Sequence, residues 1–336
     1  MAKLVLVSGA SGFIASHIVI QLLEKGYAVR GTVRNLARAE GIKNMVAQHT
    51  SIENLSFVAA ELLDGESWKR AVDGCDAVMH VASPVETSLP KDPNDIIVPA
   101  VEGTRNVLTA ARDAGVSRVV ITSSSAAICY GYDNPPAVFT EEHHTNPDHK
   151  HATPYIQSKT YAERAAWELA EAAGEKLNIT TIHPGLVLGP VLEKDYGSSA
   201  VVALKLMDGS FPGVPNLGFP VVDVRDVASM HILAMEQEVA IGQRYVCSNG
   251  FLWLGEIANI LKQNFPKHKV TTRGLPTWMV KLFAKINPEV RSVMQDLNIR
   301  REHSSEKAQK ELGWQPRPLK EAVVSTGQSL IDFGIV

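Results

Sequence analysis

The sequence has few cysteines, few aromatic residues, little net charge and no long hydrophobic run. Its three cysteines, Cys75, Cys129 and Cys247, lie far apart, so they predict neither a disulfide framework nor a paired zinc motif. We expect Cys75 and Cys247, which lie in apolar surroundings, to be buried thiols. A formal net charge of -3 over 336 residues provides no general attraction to phosphate backbones, which argues against nucleic acid as a partner.

No uninterrupted apolar run is long enough to span a bilayer, which argues against a membrane protein. The apolar stretch KLVLV at 3–7 is short and glycines follow it closely, so it predicts a strand rather than a signal peptide. Hydrophobic residues make up 45% and charged residues 21% of the chain, as is typical of globular domains. We therefore expect a cytoplasmic protein with no membrane partner.

Short apolar runs alternate with amphipathic stretches through the first half of the chain, and this alternation predicts an α/β fold. The predicted strands are Leu4–Val7, Ala28–Val33, Leu55–Ala59, Ala77–His80, Arg118–Thr122 and Thr180–His183. The predicted helices between them are Ile14–Lys25, Glu66–Val72, Val101–Ala114 and Tyr155–Ala173. Such an order of elements is typical of a Rossmann fold, a doubly wound parallel sheet with right-handed crossovers.

The alternation stops after Pro184, which predicts a change of domain. Residues 189–220 are rich in glycine and proline, a strand and a helix return at 221–237, and further helical patterns follow. We expect a dinucleotide-binding domain over 1–188, to which 221–247 returns. Residues 189–220 and 248–336 would form a smaller, discontinuous substrate-binding cap.

Two helical patterns, Leu254–Phe265 and Thr277–Ile286, belong to the predicted cap. The apolar stripe of the second helix is expected to pack within the cap, although a dimer face and a membrane contact are alternatives. We expect a monomer or a homodimer.

The loop Gly9-Ala-Ser-Gly12-Phe-Ile-Ala15 joins the first predicted strand to the first predicted helix. Here Gly9 permits a tight turn, Gly12 lets backbone N–H groups approach a pyrophosphate, and Ala15 lets the helix pack closely on the strand. The phosphates would lie at the helix N-terminus, where unpaired donors and the dipole favour anions. The loop residues expected to bind the dinucleotide are Gly9, Ser11, Gly12, Phe13 and Ile14. A turn made for packing alone is the alternative.

The end of the second predicted strand indicates which dinucleotide is bound. An NAD site usually has Asp or Glu there, against the ribose 2′-hydroxyl, but this chain has Val33 followed by Arg34. Arg38 lies one helical turn further on. Because a guanidinium pairs with a 2′-phosphate through charge-assisted hydrogen bonds, the sequence predicts NADPH, with Arg34 and Arg38 on the phosphate. A solvated basic turn is the alternative.

The sequence Tyr155-Ile-Gln-Ser-Lys159 begins an amphipathic helix, and its spacing puts Tyr155 and Lys159 on one face. A phenol with a reference pKa of about 10 is a poor acid at neutral pH. An ammonium about 4 Å away, at an effective dielectric near 20, would lower that pKa by about three units. We therefore predict Tyr155 as the general acid or base and Lys159 as the group that activates it.

The fifth predicted strand ends in the hydroxyl-rich run Thr122-Ser-Ser-Ser125. Side chains at the carboxyl edge of a parallel sheet face the crevice where ligands bind. We predict that Ser124 holds the substrate oxygen, that Ser123 and Ser125 support it, and that Thr122 contacts the cofactor. Serines that only cap the strand end are the alternative.

Together these residues resemble the extended short-chain dehydrogenase/reductase family, and within it the dihydroflavonol reductase-like group, which includes microbial aldehyde, ketone and methylglyoxal reductases. The resemblance spans nearly the whole chain. Its motifs are VSGASGFIASH at 7–17, GTVRN at 31–35, HVASP at 80–84, TSSS at 122–125, YIQSKTYAERAAW at 155–167, HPGLVLGP at 183–190, VVDVRDVA at 221–228, RYVCSNG at 244–250 and KELGWQP at 310–316.

The resemblance implies further roles for residues of the cleft. It implies that Ser124, Tyr155 and Lys159 form the catalytic triad and that Lys159 also binds the nicotinamide ribose. The other residues that it places against the cofactor are Glu61 and Leu62 near the adenine, Val81, Ala82 and Ser83 along its side, and Pro184 and Val187 at the nicotinamide ring. The implied reaction is transfer of hydride from NADPH to a small-molecule carbonyl compound, with Tyr155 protonating the oxygen.

Two departures from the family's patterns bear on the substrate. Plant flavonoid reductases have an asparagine five residues after the catalytic serine, where this chain has Cys129, so a flavonoid is not the expected substrate. The tyrosine of cinnamoyl-CoA reductases follows Asn-Trp, whereas Tyr155 follows Thr-Pro, which disfavours a CoA thioester.

Four histidines crowd the loop at 141–151: His143, His144, His149 and His151. Their spacing does not match metal ligands on a helix, and Pro147 interrupts the segment, so we predict a surface loop near the active site and no metal.

Three other functions remain as alternatives to carbonyl reduction. A nucleotide-sugar epimerase or dehydratase would retain NAD, which Val33 and Arg34 disfavour. A hydroxysteroid dehydrogenase-like enzyme would oxidise an alcohol. A redox-sensing protein without catalysis would not need Ser124, Tyr155 and Lys159 together.

Overall fold

The computed structural model describes residues 2–84, 90–194, 197 and 200–336. Its strands are β1 (Leu4–Val7), β2 (Ala28–Val33), β3 (Leu55–Ala59), β4 (Ala77–His80), β5 (Arg118–Thr122), β6 (Val138–Phe139), β7 (Asn178–Pro184), β8 (Leu186–Leu188), β9 (Gly218–Asp223), β10 (Arg244–Cys247), β11 (Phe251–Trp253) and β12 (Glu302–His303). Its α-helices are α1 (Phe13–Glu24), α2 (Ala39–Ala47), α3 (Gly65–Val72), α4 (Asn94–Asp113), α5 (Pro154–Ala173), α6 (Ala200–Met207), α7 (Val224–Glu236), α8 (Leu254–Asn264), α9 (Thr277–Ile286), α10 (Pro288–Ser292), α11 (Glu306–Leu312) and α12 (Leu319–Asp332).

Seven strands form the central sheet in the order β10-β7-β5-β4-β1-β2-β3. Every neighbouring pair in this sheet is parallel. The order reverses beside β1, and in open α/β sheets ligands bind at such a point, outside the carboxyl ends of the strands. The predicted Rossmann fold is therefore confirmed, and it brings the ends of β1, β2, β4 and β5 to one edge.

The two faces of the central sheet are covered by different helices because alternate strand residues point in opposite directions. On β1, Val5 and Val7 belong to a buried cluster with α1, α2 and α7. Leu6 belongs instead to a cluster with α3, α4 and α5. This arrangement explains why the strands read as unbroken apolar runs.

Local sequence signals fix some helix ends, and the prediction was wrong at one helix start. Thr153 caps α5, since its hydroxyl accepts a hydrogen bond from the Ile156 N–H, and Pro154 occupies the first turn. Helix α4 begins at Asn94 rather than at Val101. The sequence pattern hid its first turns because Pro99 lies inside the helix, where proline normally ends a helical pattern.

A second apolar core lies outside the central sheet. It joins residues of β8, α6, α8, α9 and α12 in one buried cluster. A small sheet of order β11-β9-β8 connects this core to the Rossmann part. Helix α11 and Trp314 pack elsewhere, in a cluster with Val120, Ile182 and Tyr245 of the central sheet. The C-terminal region therefore contacts both cores.

All three cysteines are buried and free, as expected for Cys75 and Cys247. Within the described parts of the chain, every helix is too short or too polar to serve as a membrane span.

Candidate active site and dinucleotide cleft

The glycine loop after β1 is shaped to admit a ligand backbone. Gly9 has a φ of +65°, which a side chain would strain, and a Cβ there would lie 3.1 Å from the Cβ of Ala82. Thr32 of β2 anchors the loop, because its hydroxyl accepts a hydrogen bond from the Gly9 N–H at 2.9 Å and its carbonyl accepts one from Ala10 at 3.0 Å. These contacts fix the backbone of the turn against β2 and the end of β4.

Ser8, which the sequence analysis did not single out, fixes the end of β4 against this loop. Its hydroxyl oxygen accepts hydrogen bonds from the N–H groups of Val81 and Ala82, both at 2.8 Å. It lies 3.0 Å from Nδ1 of the buried His80. Since the hydroxyl already accepts twice, it donates to His80, whose pKa burial and the charge of Lys159 lower to about 3. A neutral ring is the form that accepts this bond.

The N-terminus of α1 points out of the glycine loop without a competing cap. Gly12 occupies the N-cap position with no side-chain hydrogen bond, and the first turn carries no acidic residue. Ala15 is fully buried, so the helix packs closely on the sheet. Its unpaired N–H groups and the helix dipole therefore face a region suited to an anion.

The two arginines predicted to bind a 2′-phosphate differ in their surroundings. Both are exposed and follow β2, as expected. Arg38 pairs with Glu193 at 3.4 Å. Arg34 makes no hydrogen bond or ion pair with the described residues. Arg34 is therefore the guanidinium that can accept a phosphate without losing a partner.

The remaining residues expected along the cofactor are spread over the same edge. Glu61 is exposed just beyond β3, whereas the Leu62 side chain packs where a Cβ on Gly103 would lie, at 2.8 Å. Ser11, Phe13, Ile14 and Ser83 are half-buried. A Cβ on Gly197 would lie 3.0 Å from that of Phe13, so Gly197 itself lies against the start of α1.

Ser124 and Tyr155 meet in the cleft although they come from different elements. Their hydroxyl oxygens lie 3.5 Å apart. Ser124 follows β5 and caps a short 3-10 turn, since its hydroxyl accepts a hydrogen bond from the Ala126 N–H at 3.1 Å. Tyr155 lies in the first turn of α5 and is 42% exposed. A carbonyl oxygen placed between the two hydroxyls could therefore contact both.

Lys159 lies one turn further along α5 and is half-buried. Among the described residues, no hydrogen bond or ion pair satisfies its ammonium group. Burial lowers the pKa of Lys159 to about 8. A buried, unpaired ammonium group is costly and indicates a ligand-binding role.

The predicted lowering of the Tyr155 pKa is wrong in this geometry. Burial raises the pKa of Tyr155 above its ordinary value, and the hydrogen bond to Ser124 opposes that rise. The Lys159 charge is not among the interactions that shift it. Two residues one turn apart share a helix face, but side-chain direction decides whether their polar ends meet.

Thr122 points away from the cleft. Its hydroxyl lies 2.7 Å from Nε2 of His231, a fully buried residue of α7. Pro184 ends β7 and Val187 lies on β8, and both are buried. Val187 shares a buried cluster whose margin includes Phe13 and Ile14, so it lies near the glycine loop. Of these residues, Thr122 could reach a cofactor only through its backbone.

A buried carboxylate, Glu163, lies next to Ser123 on the side away from Ser124 and was missed by the sequence analysis. It accepts hydrogen bonds from the Ser123 hydroxyl at 2.6 Å and from Nε of Arg244 at 2.8 Å. Nε2 of His183 lies 2.8 Å from it. The only sequence signal was its position four residues after Lys159, on the same helix face.

The histidine-rich loop contains no arrangement suited to a metal ion in the described part of the chain. Nδ1 of His143 accepts a hydrogen bond from the Thr140 N–H at 3.0 Å, and Nε2 of His144 lies 3.5 Å from Arg244. His149 and His151 pack against each other with ring centroids 5.3 Å apart. The loop's imidazoles thus bond within the protein.

One surface cleft of the protein does not coincide with the candidate site. A cleft of about 740 Å³ lies along α1, α7 and the C-terminal residues, lined by His17, Arg225 and Phe333 among others. It includes none of the predicted site residues. The chemistry is instead concentrated at the switch point of the sheet.

The chain is similar to known reductases over nearly its whole length. The model of the NAD dependent epimerase/dehydratase family matches residues 5–248. Cinnamoyl-CoA reductase 1 of Petunia hybrida is 38% identical over 343 residues, covering 99% of this chain and 93% of that protein. Dihydroflavonol 4-reductase of Zea mays is 36% identical over 276 residues, covering 80% of this chain and 76% of that protein.

Solved structures show the same fold. The yeast methylglyoxal/isovaleraldehyde reductase Gre2, complexed with NADPH, has a TM-score of 0.82 at 28% identity, with 99% of this chain and 100% of that chain covered. Vestitone reductase from alfalfa has a TM-score of 0.78 at 25% identity, with 99% of both chains covered.

Proposed function

The chain belongs to the NAD dependent epimerase/dehydratase family, as an extended short-chain dehydrogenase/reductase of the dihydroflavonol reductase-like group, and from that premise we propose that it reduces aldehydes or ketones to alcohols with NADPH. The observation that carries this proposal is the 3.5 Å approach of the Ser124 and Tyr155 hydroxyls, one helical turn from Lys159, whose ammonium group has no partner among the described residues. Hydride transfer to a carbonyl requires a proton donor at this place.

NADPH fits the cleft on three features of this chain. The glycine turn after β1 and the N-terminus of α1, which has no side-chain cap, suit a pyrophosphate. Arg34 offers a 2′-phosphate a guanidinium that pairs with none of the residues that the structure describes. The residues we assign to the cofactor are Gly9, Ser11, Gly12, Phe13, Ile14, Arg34, Arg38, Glu61, Leu62, Val81, Ala82, Ser83, Thr122, Tyr155, Lys159, Pro184 and Val187. Thr122 would contact the cofactor through its backbone alone, because its hydroxyl lies against His231. Arg38 would have to give up its ion pair with Glu193 in order to bind the phosphate.

When bound, NADPH supplies a hydride to the carbonyl carbon of the substrate. Ser124 donates a hydrogen bond to the carbonyl oxygen and polarises it. The Tyr155 O–H bond then breaks and its proton passes to that oxygen, which leaves an alcohol and a phenolate. We assign to Lys159 the stabilisation of this phenolate once cofactor and substrate are bound, because the described residues give its ammonium group no partner and burial lowers its pKa.

The region outside the central sheet would form the substrate wall. We assign 189–220 and 248–336 to this cap and 1–188 with 221–247 to the dinucleotide-binding part. The core shared by α6, α8, α9 and α12 gives the cap its own support. An apolar wall suits an aryl or alkyl carbonyl compound.

One observation favours a second substrate class, a CoA thioester that is reduced to an aldehyde. Cinnamoyl-CoA reductase 1 of Petunia hybrida matches 99% of this chain. The sequence around Tyr155 opposes that assignment, since Thr153 and Pro154 replace the residues typical of those enzymes. The same triad could protonate the oxygen in either case, so only a substrate panel can separate them.

The deciding experiment follows NADPH or NADH at 340 nm with aliphatic aldehydes, aryl ketones, methylglyoxal and a hydroxycinnamoyl-CoA. We expect NADPH oxidation with a free aldehyde or ketone, and its loss in Tyr155→Phe. Turnover confined to the thioester would favour the second class. A protein that retains stoichiometric NAD and turns over no carbonyl compound would instead be an epimerase or dehydratase.

A further inference from the structure

Five donors converge on the two oxygens of the Glu163 carboxylate. Oε2 receives the Ser123 hydroxyl at 2.6 Å and faces Nε2 of His183 at 2.8 Å. Oε1 receives Nε of Arg244 at 2.8 Å, Nε1 of Trp167 at 3.3 Å and the Thr181 hydroxyl at 3.5 Å. Only 6% of the Glu163 surface is exposed, so protein donors replace its water.

The donors come from elements that carry different parts of the cleft. Ser123 directly precedes Ser124, and His183 directly precedes Pro184. Glu163 itself lies one turn beyond Lys159 on α5. One carboxylate thus ties together the segments that present the substrate serine, the catalytic helix and the expected nicotinamide wall.

Arg244 extends this network to the loop before α5. Its Nη1 donates to the backbone carbonyl of His143 at 2.9 Å and also to that of Glu141. That loop leads into Thr153 and Tyr155. Arg244 is 11% exposed, so its charge depends on Glu163 for compensation.

The network requires an ionised carboxylate. Burial alone would raise the pKa of Glu163, but the charges and hydrogen bonds of His183 and Arg244 hold it below its ordinary value. Nδ1 of His183 lies 3.3 Å from the Tyr245 carbonyl, so both ring nitrogens face acceptors. The two oxygens of an ionised Glu163 can therefore accept hydrogen bonds from all of the surrounding donors.

We propose that Glu163 is a positioning residue for catalysis, which holds Ser124 at its distance from Tyr155 through the hydrogen bond to Ser123. The inference rests on the proposed carbonyl reduction. Glu163 touches neither Ser124 nor Tyr155, and its effect passes through the neighbouring residue. A displacement of about 1 Å at a reacting group can cost roughly a hundredfold in rate, which is the scale on which such positioning acts.

The first variant is Glu163→Gln, which keeps the shape but replaces one acceptor oxygen with an amide NH₂. Its hydrogens would lie against a donor already present, and the Arg244 charge would lose its counterion. We expect kcat for carbonyl reduction to fall roughly tenfold to a hundredfold. The dissociation constant for NADPH should change much less than kcat, because the glycine loop that would bind the pyrophosphate lies on β1 and α1, away from Glu163.

The matched control is Asp226→Asn, on another buried carboxylate that pairs with an arginine. Asp226 accepts from the backbone N–H of Arg317 at 2.6 Å and from its guanidinium, away from the catalytic residues. Both variants should lower the melting temperature. Only Glu163→Gln should lower kcat and raise the primary deuterium isotope effect on hydride transfer.

Ser123→Ala tests whether Glu163 acts on Ser124 through Ser123. It also replaces Glu163→Gln as the test if that variant fails to fold. It removes one donor and leaves the carboxylate with the other four. We expect a smaller loss of kcat, and less than multiplicative losses when Ser123→Ala and Glu163→Gln are combined. Independent, multiplicative losses would overturn the proposed route through Ser123.

Hydrogen exchange at the Ala126 amide provides a readout without turnover, since this N–H donates to the Ser124 hydroxyl. Exchange there should accelerate in Glu163→Gln and stay unchanged in Asp226→Asn. A folded Glu163→Gln with wild-type kcat and wild-type exchange at Ala126 would overturn the inference. If the unmodified protein reduces no carbonyl compound, the proposed function fails, while the exchange result still decides whether Glu163 holds Ser124.

Discussion

The hydroxyl oxygens of Ser124 and Tyr155 lie 3.5 Å apart, although 31 positions of chain separate them. Ser124 is held by the 3-10 turn after β5 and Tyr155 by the first turn of α5. Because each is fixed by its own element, the pair is arranged before any substrate arrives. This preorganisation is what oxyanion-type stabilisation requires.

Removal of the phenol should abolish carbonyl reduction with little effect on cofactor binding. Tyr155→Phe removes the proton donor, so we expect kcat to fall roughly a hundredfold to ten-thousandfold. The matched control is Tyr161→Phe on the same helix, where the hydroxyl bonds to Asp148 at 2.7 Å near the surface. Steady-state kinetics on both variants would check the prediction, and equal losses would contradict it.

The pH dependence of reduction should reflect Lys159. Its pKa of about 8 means that the ammonium is charged below that pH and neutral above it. Tyr155, with a raised pKa, stays protonated through neutrality. The phenolate that forms on proton transfer would lose its proposed stabilising charge once Lys159 is neutral. We expect kcat/KM for reduction to fall as pH rises through about 8. In Lys159→Arg the decrease of kcat/KM should occur at a higher pH, because a guanidinium keeps its charge.

The partly buried charge of Lys159 should also lower the free energy of unfolding of the protein. An unfolded lysine holds its proton to about pH 10.4, whereas the folded one releases it above about 8, so its contribution to stability rises with pH between those values. Lys159→Met should therefore raise the free energy of unfolding at pH 7 by roughly 1–3 kcal/mol. Urea unfolding at pH 7 and pH 9.5 checks this. If Lys159→Met raises the free energy of unfolding as much at pH 9.5 as at pH 7, removal of the lysine charge is not the cause of the stabilisation.

Arg34 should set the preference for NADPH. Hydrogen bonds to charged groups contribute about 1.5–3 kcal/mol, so Arg34→Ala should raise KM for NADPH roughly tenfold to a hundredfold. KM for NADH should not change. Arg38→Ala is the comparison, and its effect should be smaller because Arg38 already pairs with Glu193. Equal loss with both dinucleotides would indicate that Arg34 does not bind the 2′-phosphate.

Gly9→Ala should remove dinucleotide binding. Its Cβ would lie 3.1 Å from that of Ala82, in a turn whose φ of +65° already disfavours a side chain. The control is Gly26→Ala, which has a φ of +83° and nothing within 4 Å of the added atom. Both variants should be less stable, by roughly 1 kcal/mol for the backbone alone. Quenching of protein fluorescence by NADPH should disappear only in Gly9→Ala.

Most elements of the Rossmann part could be predicted from local patterns. The bounds of β1 to β5 follow directly from short apolar runs, because strands covered on both faces need apolar residues throughout. The glycine loop was predictable because Gly9 and Gly12 stand at a fixed distance from a strand and a helix. Helix α2, β8 and α12 were missed, since their patterns are short or mixed with glycine and polar residues.

By itself the sequence determined the Rossmann fold, which follows from short-range periodicity, and it predicted the glycine loop, Ser124, Tyr155 and Lys159 as site residues from spacing and family resemblance. Only the tertiary structure decided where three successive hydroxyls point. Thr122 faces His231, Ser123 faces Glu163 and Ser124 faces Tyr155, because side chains alternate along a strand and the chain then turns. The packing of distant elements also decided the pKa shifts of Tyr155 and Lys159. Burial raises the pKa of Tyr155 and lowers that of Lys159, and a spacing of four residues carries no information about desolvation.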